Sequence, residues 1–135
     1  MVAGCLPQRY EKELSQELPE VDLFLGTGDI AKIGDLIAPG VSSNLQMAPR
    51  AVIGRPGYNY DAYSPRVQTT PDWTAYVKIA EGCSQVCAFC IIPRLRGGQK
   101  SRGQADIVTE VRQLAERGVK EINLIAQDLT HYGDL

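Results

Sequence analysis

The sequence has one histidine, one tryptophan and two phenylalanines among its 135 residues, and no stretch of low complexity. With His131 as the sole histidine, the His half of a Cys2His2 zinc site is missing. Long apolar runs are missing too. None approaches the roughly 20 residues needed to cross a membrane. Met1 leads into Val2-Ala3-Gly4-Cys5 without the basic start and apolar stretch of a secretory leader. A cytoplasmic location with no membrane partner is the expectation. Neither sign of charge dominates: 14 Lys and Arg face 16 Asp and Glu, a net charge of −2. That balance gives no global pull toward nucleic acid, although a local basic patch can still bind RNA. What remains is the composition of a globular protein, 44% hydrophobic and 22% charged, long enough for one domain with a real core.

The chain opens as if cut from something longer. Val2-Ala3 reads as the last turn of a buried strand, Gly4-Cys5 as its exit and Pro7 as a first helical residue. Tyr10, Leu14 and Leu18 recur every four residues on one helical face, and Pro19 stops that helix. Val21 to Leu25 reads as a strand ending at Gly26-Thr27-Gly28. Asp29 then caps a second helix, with Ile30, Ile33 and Ile37 inward. Strand–helix–strand–helix order predicts an α/β unit with parallel strands.

From Ala38 to Asp72 the periodicity dissolves under Pro39, Gly40, Pro49, Pro56, Gly57, Pro65 and Pro71, as in a linker. Tyr58, Tyr60 and Tyr63 suggest one short strand within it. Periodicity returns with a strand over Ala75–Ala80, which Glu81-Gly82 turn into a cysteine-bearing loop. Ser101 and Gln104 have capping-box spacing, and Ile107, Val108, Val111, Leu114 and Ala115 form the apolar face of a helix ending at Gly118. Glu121 to Ala126 is a further strand, with Gln127-Asp128 at its C-terminal end. The expected organisation is 1–38 as the end of one α/β domain, 39–72 as linker and 73–135 as the start of another. In parallel α/β architectures chemistry gathers at the C-terminal ends of strands, where both the cysteine loop and Gln127-Asp128 fall.

Four cysteines would make two disulfides in a secreted protein, but three of them cluster as Cys83-Ser84-Gln85-Val86-Cys87-Ala88-Phe89-Cys90. In a reducing compartment a C-x3-C-x2-C cluster is more often a metal site. Three thiolates on one loop can hold three corners of a cubane iron–sulfur cluster, leaving one iron open. Zinc normally takes four ligands in two pairs, and only one Cys-x2-Cys pair exists here. Electron-transfer ferredoxins use four cysteines at another spacing. Arg94, Arg96, Lys100 and Arg102 form a basic run beside the loop that could hold a carboxylate or simply be a solvated face.

C-x3-C-x2-C after a strand, with Phe89 before the third cysteine, resembles the radical S-adenosylmethionine (SAM) signature. The flanking strings Tyr76-Val77-Lys78-Ile79-Ala80-Glu81-Gly82-Cys83, Cys87-Ala88-Phe89-Cys90-Ile91-Ile92-Pro93, Leu95-Arg96-Gly97 and Ser101-Arg102 resemble the methylthiotransferases of that group. Val2-Ala3-Gly4-Cys5-Leu6-Pro7-Gln8-Arg9-Tyr10 is similar to the string holding the last cluster ligand of their N-terminal domain. The resemblance implies a transferase inserting a methylthio group into a C–H bond. It implies a [4Fe-4S] cluster on Cys83, Cys87 and Cys90 whose open iron takes SAM, and Cys5 as one ligand of a second [4Fe-4S] cluster. Phe89 and Gln127 become cofactor-binding candidates; a polar strand terminus is an equal reading of Gln127 and Asp128.

Residues 26–29 and Ile125-Ala126-Gln127-Asp128-Leu129-Thr130-His131-Tyr132-Gly133 are similar to the members that modify an aspartate β carbon of a small-subunit ribosomal protein. The alternative is the group acting on a tRNA adenosine, which usually has Gln-Asn where this chain has Gln127-Asp128. Ser84, Leu129 and Gly103 depart from the family pattern at positions where an acidic or Asn residue, Thr and Pro are common; none is a cluster ligand. The resemblance implies the end of an N-terminal parallel α/β domain plus the first one and a half βα units of a radical SAM partial TIM-like barrel. It also implies a ribosomal protein substrate, a reducing electron donor and no catalysis by these residues alone.

Overall fold

The computed structural model describes residues 1–38 and 50–133. The chain divides into two compact units, Met1–Tyr58 with Gln85–Gly97, and Asn59–Ser84 with Gly98–Leu135.

In the first unit, strand β1 (Val2–Ala3) leads into helix α1 (Cys5–Glu17), then β2 (Phe24–Leu25), a 3-10 helix over Thr27–Lys32, α2 (Ile33–Ile37), β3 (Ala51–Val52) and, from the cysteine loop, α3 (Ile92–Arg96). The strands form a parallel sheet in the order β1-β2-β3, with Val2 opposite Phe24 and Phe24 opposite Ala51. Phe24 and Leu25 lie on the central strand and are fully buried, as the continuous apolar run implies for a parallel strand.

Four local expectations are corrected in this unit. Helix α1 starts at Cys5, not Pro7: a proline in the first turn has no intrahelical N–H partner to lose. Tyr10 leaves the shared apolar face because its backbone is non-helical (φ −123°, ψ 34°); its ring lies exposed beneath the Arg9 guanidinium, 4.7 Å away. Asp29 makes no cap. It sits inside the 3-10 helix, buried, and its carboxylate accepts from the Gly54 N–H and from Lys32 Nζ. Ile37, expected inward, is exposed.

Residues 39–49 of the stretch read as linker lie outside the described residues, and with them Pro39, Gly40 and Pro49. Ala51–Val52 in that stretch is strand β3, a pairing too short to leave a periodic signal. The three tyrosines at 58, 60 and 63 form no strand.

The second unit is a βαβ arrangement. Strand β4 (Thr74–Lys78) pairs in parallel with β7 (Glu121–Ile125), Thr74 opposite Glu121 and Lys78 opposite Ile125. Between them come β5 (Ala80–Glu81), its antiparallel partner β6 (Lys100–Ser101) and α4 (Gln104–Glu116). Ala75, Val77, Ile79, Leu114 and Val119 make the core, with Ile107 and Val111 of α4 packed against it. Val108 and Ala115, expected on the same face, are exposed because one sheet covers one side of the helix only.

Helix α4 ends in a Schellman motif: the Gly118 N–H reaches Ala115 O at 3.0 Å and the Val119 N–H reaches Leu114 O at 3.1 Å. Gly118, at φ +99°, takes the left-handed conformation that such an ending needs, and Leu114 and Val119 are its apolar pair. The capping box is not formed, because Gln104 is itself the first helical residue and Ser101 belongs to β6, where its hydroxyl accepts the Gly133 N–H.

Candidate functional site

Strand β5 delivers its buried end, Glu81, into Gly82, whose φ of +78° bends the backbone through the left-handed region into the cysteine loop. Glu81 forms an ion pair with Lys78 three residues back, so this acid is neutralised where it is buried. Cys83 follows, also buried.

Hydrogen bonds hold both neighbours of Cys83. The Gly82 N–H donates to Gln127 Oε1 at 3.0 Å and, more weakly, to Glu81 Oε1 at 3.3 Å. Ser84 Oγ accepts the Gln99 N–H at 3.0 Å, and Gln99 Nε2 donates to the Asp128 carbonyl at 3.3 Å. Because Gln127 and Asp128 are consecutive, these contacts close a ring that passes through the backbone of Cys83. The Gln99 side-chain oxygen is buried and finds no hydrogen-bond partner among the described residues.

Asp128 does different work from Gln127. Its carboxylate accepts from Thr130 Oγ1 at 2.7 Å and Thr130 N at 3.1 Å, and lies 2.8 Å from His131 Nδ1. The Thr130 hydroxyl bond, with smaller help from His131, holds the carboxyl below its ordinary value of 3.8.

In the other unit, the Cys90 N–H donates to Cys87 O at 3.1 Å, closing a turn just before α3. Cys87 is exposed, Cys90 half-buried, and Phe89 between them is 94% exposed. Pro93 lies in the first turn of α3, and Leu95 O on that helix accepts the Thr27 hydroxyl at 2.6 Å. Gln8 ties the same region to the sheet: its Oε1 accepts the Thr27 N–H at 2.9 Å and its Nε2 reaches Gly54 O. Cys5, half-buried, is the first residue of α1.

The donor chemistry suits a thiolate-bound cluster, since all four cysteines are free thiols. Among the described residues, no three His, Cys, Asp or Glu side chains stand together as a metal site. A cavity of about 600 Å³ in the second unit, between Tyr60, Arg66, Tyr76 and Arg117, is lined by none of the cysteines, Phe89 or Gln127.

One member of the basic run, Arg102, is committed to its own unit. Arg102 is buried and bonded to Asp106 Oδ2 (2.6 and 2.8 Å), Glu110 Oε2 (2.6 Å) and Lys78 O (2.7 Å), so it is a structural anchor with no donor pattern left for a ligand carboxylate. Burial alone would lower its pKa; the bonds to Glu110 and Asp106 outweigh burial and raise it. The four-residue spacing of Arg102, Asp106 and Glu110, from the residue before the N-cap of α4 into its first turns, was a signal available in the sequence. Gln99 carried no such signal, because nothing local distinguishes a loop glutamine that reaches across to another strand.

No family model matches the chain. Among curated proteins, it is 59% identical over 98% of its length to the ribosomal protein uS12 methylthiotransferase RimO of Myxococcus xanthus. It is 52% identical to the protein of the same name from Citrifermentans bemidjiense and 53% identical to that from Geotalea uraniireducens, again over 98% of the chain. The chain spans 27% of the first relative's length and 29% of each of the others. At this level of identity across nearly every residue, the chain belongs to the RimO methylthiotransferase family.

Proposed function

We propose that this chain is part of a radical SAM methylthiotransferase whose substrate is ribosomal protein uS12, modified at an aspartate β carbon. The observation that carries the reading is the 59% identity, over 98% of a chain that bears the cysteine triad, to a relative named for that activity. The same names favour a ribosomal protein over the tRNA alternative. The proposed organisation is 1–38 from an N-terminal domain, 39–72 as linker and 73–135 as the start of the radical SAM domain, in the cytoplasm.

Cys83, Cys87 and Cys90 would hold a [4Fe-4S] cluster, and Cys5 would supply one ligand of a second. When bound, such a cluster with SAM supplies reductive cleavage of the sulfonium and hydrogen abstraction from an unreactive carbon. This chain's own residues bind and orient. Gln127 fixes the backbone at Gly82, Glu81 and Lys78 keep the strand end neutral, and the half-buried Ile91 and Ile92 give the loop an apolar side that limits water. The site needs an external electron donor. Two parallel strands, β4 and β7, are too little of a barrel to enclose substrate and cofactor, so these residues alone are proposed to be inactive.

Anaerobic reconstitution with iron and sulfide tests the reading. The expected result is broad absorbance near 400 nm (roughly, for thiolate-bound clusters) with matching iron and sulfide content. Stoichiometric zinc binding with no such absorbance would replace it with a zinc module.

A further inference from the structure

The hydrogen-bonded ring through the Cys83 backbone contains two residues to which neither the family resemblance nor the relatives assign a role. Ser84 stands where an acidic or Asn residue is common in the family, yet it keeps an oxygen acceptor there: its Oγ takes the Gln99 N–H at 3.0 Å. Gln99, brought back by the loop, spans from Ser84 to β7 and donates through Nε2 to the Asp128 carbonyl at 3.3 Å. Together with the Gln127 bond to the Gly82 N–H, these contacts restrain the backbone on both sides of one buried thiol.

Gln99 also has a feature that a purely structural residue would shed. Its Oε1 is buried without a hydrogen-bond partner among the described residues. A buried unsatisfied acceptor destabilises the fold, and an apolar side chain of the same shape would remove that penalty. Flipping the amide offers no relief, because the oxygen would then face the Asp128 carbonyl oxygen. An amide here makes sense where the Nε2 bond serves something other than stability, and the residue between the two bonded neighbours, Gly82 and Ser84, is Cys83.

We propose that Gln99 and Ser84 are positioning residues for the thiol of Cys83, holding it in one orientation before any cluster forms. The role assigned to that thiol rests on the cluster-ligand reading; the restraint on it does not, and the two are separable by experiment.

The test follows alkylation of each cysteine by iodoacetamide, resolved by mass spectrometry on the full metal-free chain, with Cys5 in the other unit as internal control. Gln99→Met removes the side-chain bond and the orphan acceptor together; Ser84→Ala removes the other bond. In both variants Cys83 is expected to react faster, about fivefold for Gln99→Met, which loses a part-buried hydrogen bond, and by a smaller factor for Ser84→Ala, whose lost bond is exposed, with Cys5 unchanged. The unfolding midpoint of Gln99→Met should be equal to or above that of the parent chain, an outcome that a merely structural glutamine would not produce. After reconstitution, both variants should lose iron to a chelator faster than the parent chain. An unchanged Cys83 rate in either variant, or an equal rise at Cys5, overturns the proposal. Failure of the parent chain to take up iron counts against the cluster reading alone, since the alkylation rates need no cluster.

Discussion

Gln127 Oε1 accepts the Gly82 N–H at 3.0 Å, joining the C-terminal end of β7 to the residue before Cys83. The two positions are 45 residues apart in sequence, and the parallel pairing of β4 with β7 makes them neighbours. Replacing Gln127 with alanine leaves a buried N–H with only its 3.3 Å contact to Glu81. The expected cost is about 1–3 kcal/mol, read as a lower urea midpoint of the second unit. An unchanged midpoint would mean that the bond is not formed in solution.

Arg102 holds a partly buried network, and its removal should be the more damaging change. Alanine there strands Asp106 and Glu110 without their cation and strips a donor from the Lys78 carbonyl. Breaking a buried pair from one side costs roughly 3–5 kcal/mol. Lysine cannot reproduce the forked geometry, so Arg102→Lys should recover only part of the loss in chemical denaturation.

Asp29 gives the first unit an acid-labile link. Its carboxyl is held below the ordinary value of 3.8, chiefly by the bond from Lys32, with burial opposing and the Gly54 N–H assisting. A depressed folded-state value means that the unfolded chain binds the proton first as pH falls. The stabilisation is therefore complete above the unfolded value and is lost as pH drops from about 4 through the folded value. Thermal melts of Asp29→Asn should lack this part of the acid dependence, and an identical pH profile for both proteins would exclude the link.

Gly28 has no room for a side chain. A Cβ at this position would overlap the Arg55 carbonyl, which is backbone and cannot swing aside. Gly28→Ala should destabilise the first unit by about 1–3 kcal/mol, visible as a lowered thermal midpoint, where an open glycine such as Gly34 should tolerate the same change.

Elements with their own punctuation were legible in the sequence. Pro19 after Leu18 and Gly118 after α4 mark helix ends that depend on local chemistry, and both helices end there. Two-residue strands were not legible: Ala51–Val52 and Lys100–Ser101 are strands only because distant partners pair with them. Asp29 and Ser101 were misread as caps for a related reason, since each had a tertiary partner, Gly54 and Gly133, that competed with the local role. Of the proposed site, the cysteines and Gln127 are singled out by type and spacing. The residues proposed to orient Cys83, Gln99 and Ser84, depend on which strand ends meet, and short-range patterns do not encode that.

The central claim is that three thiolates hold a cluster whose remaining iron is open to SAM. Electron paramagnetic resonance of the reduced, reconstituted chain tests it most directly. The account expects a cluster signal that changes when SAM is added and disappears when Cys83, Cys87 or Cys90 is replaced by alanine, yet survives Cys5→Ala. A signal indifferent to SAM, or one that persists after any of the three replacements, would contradict it.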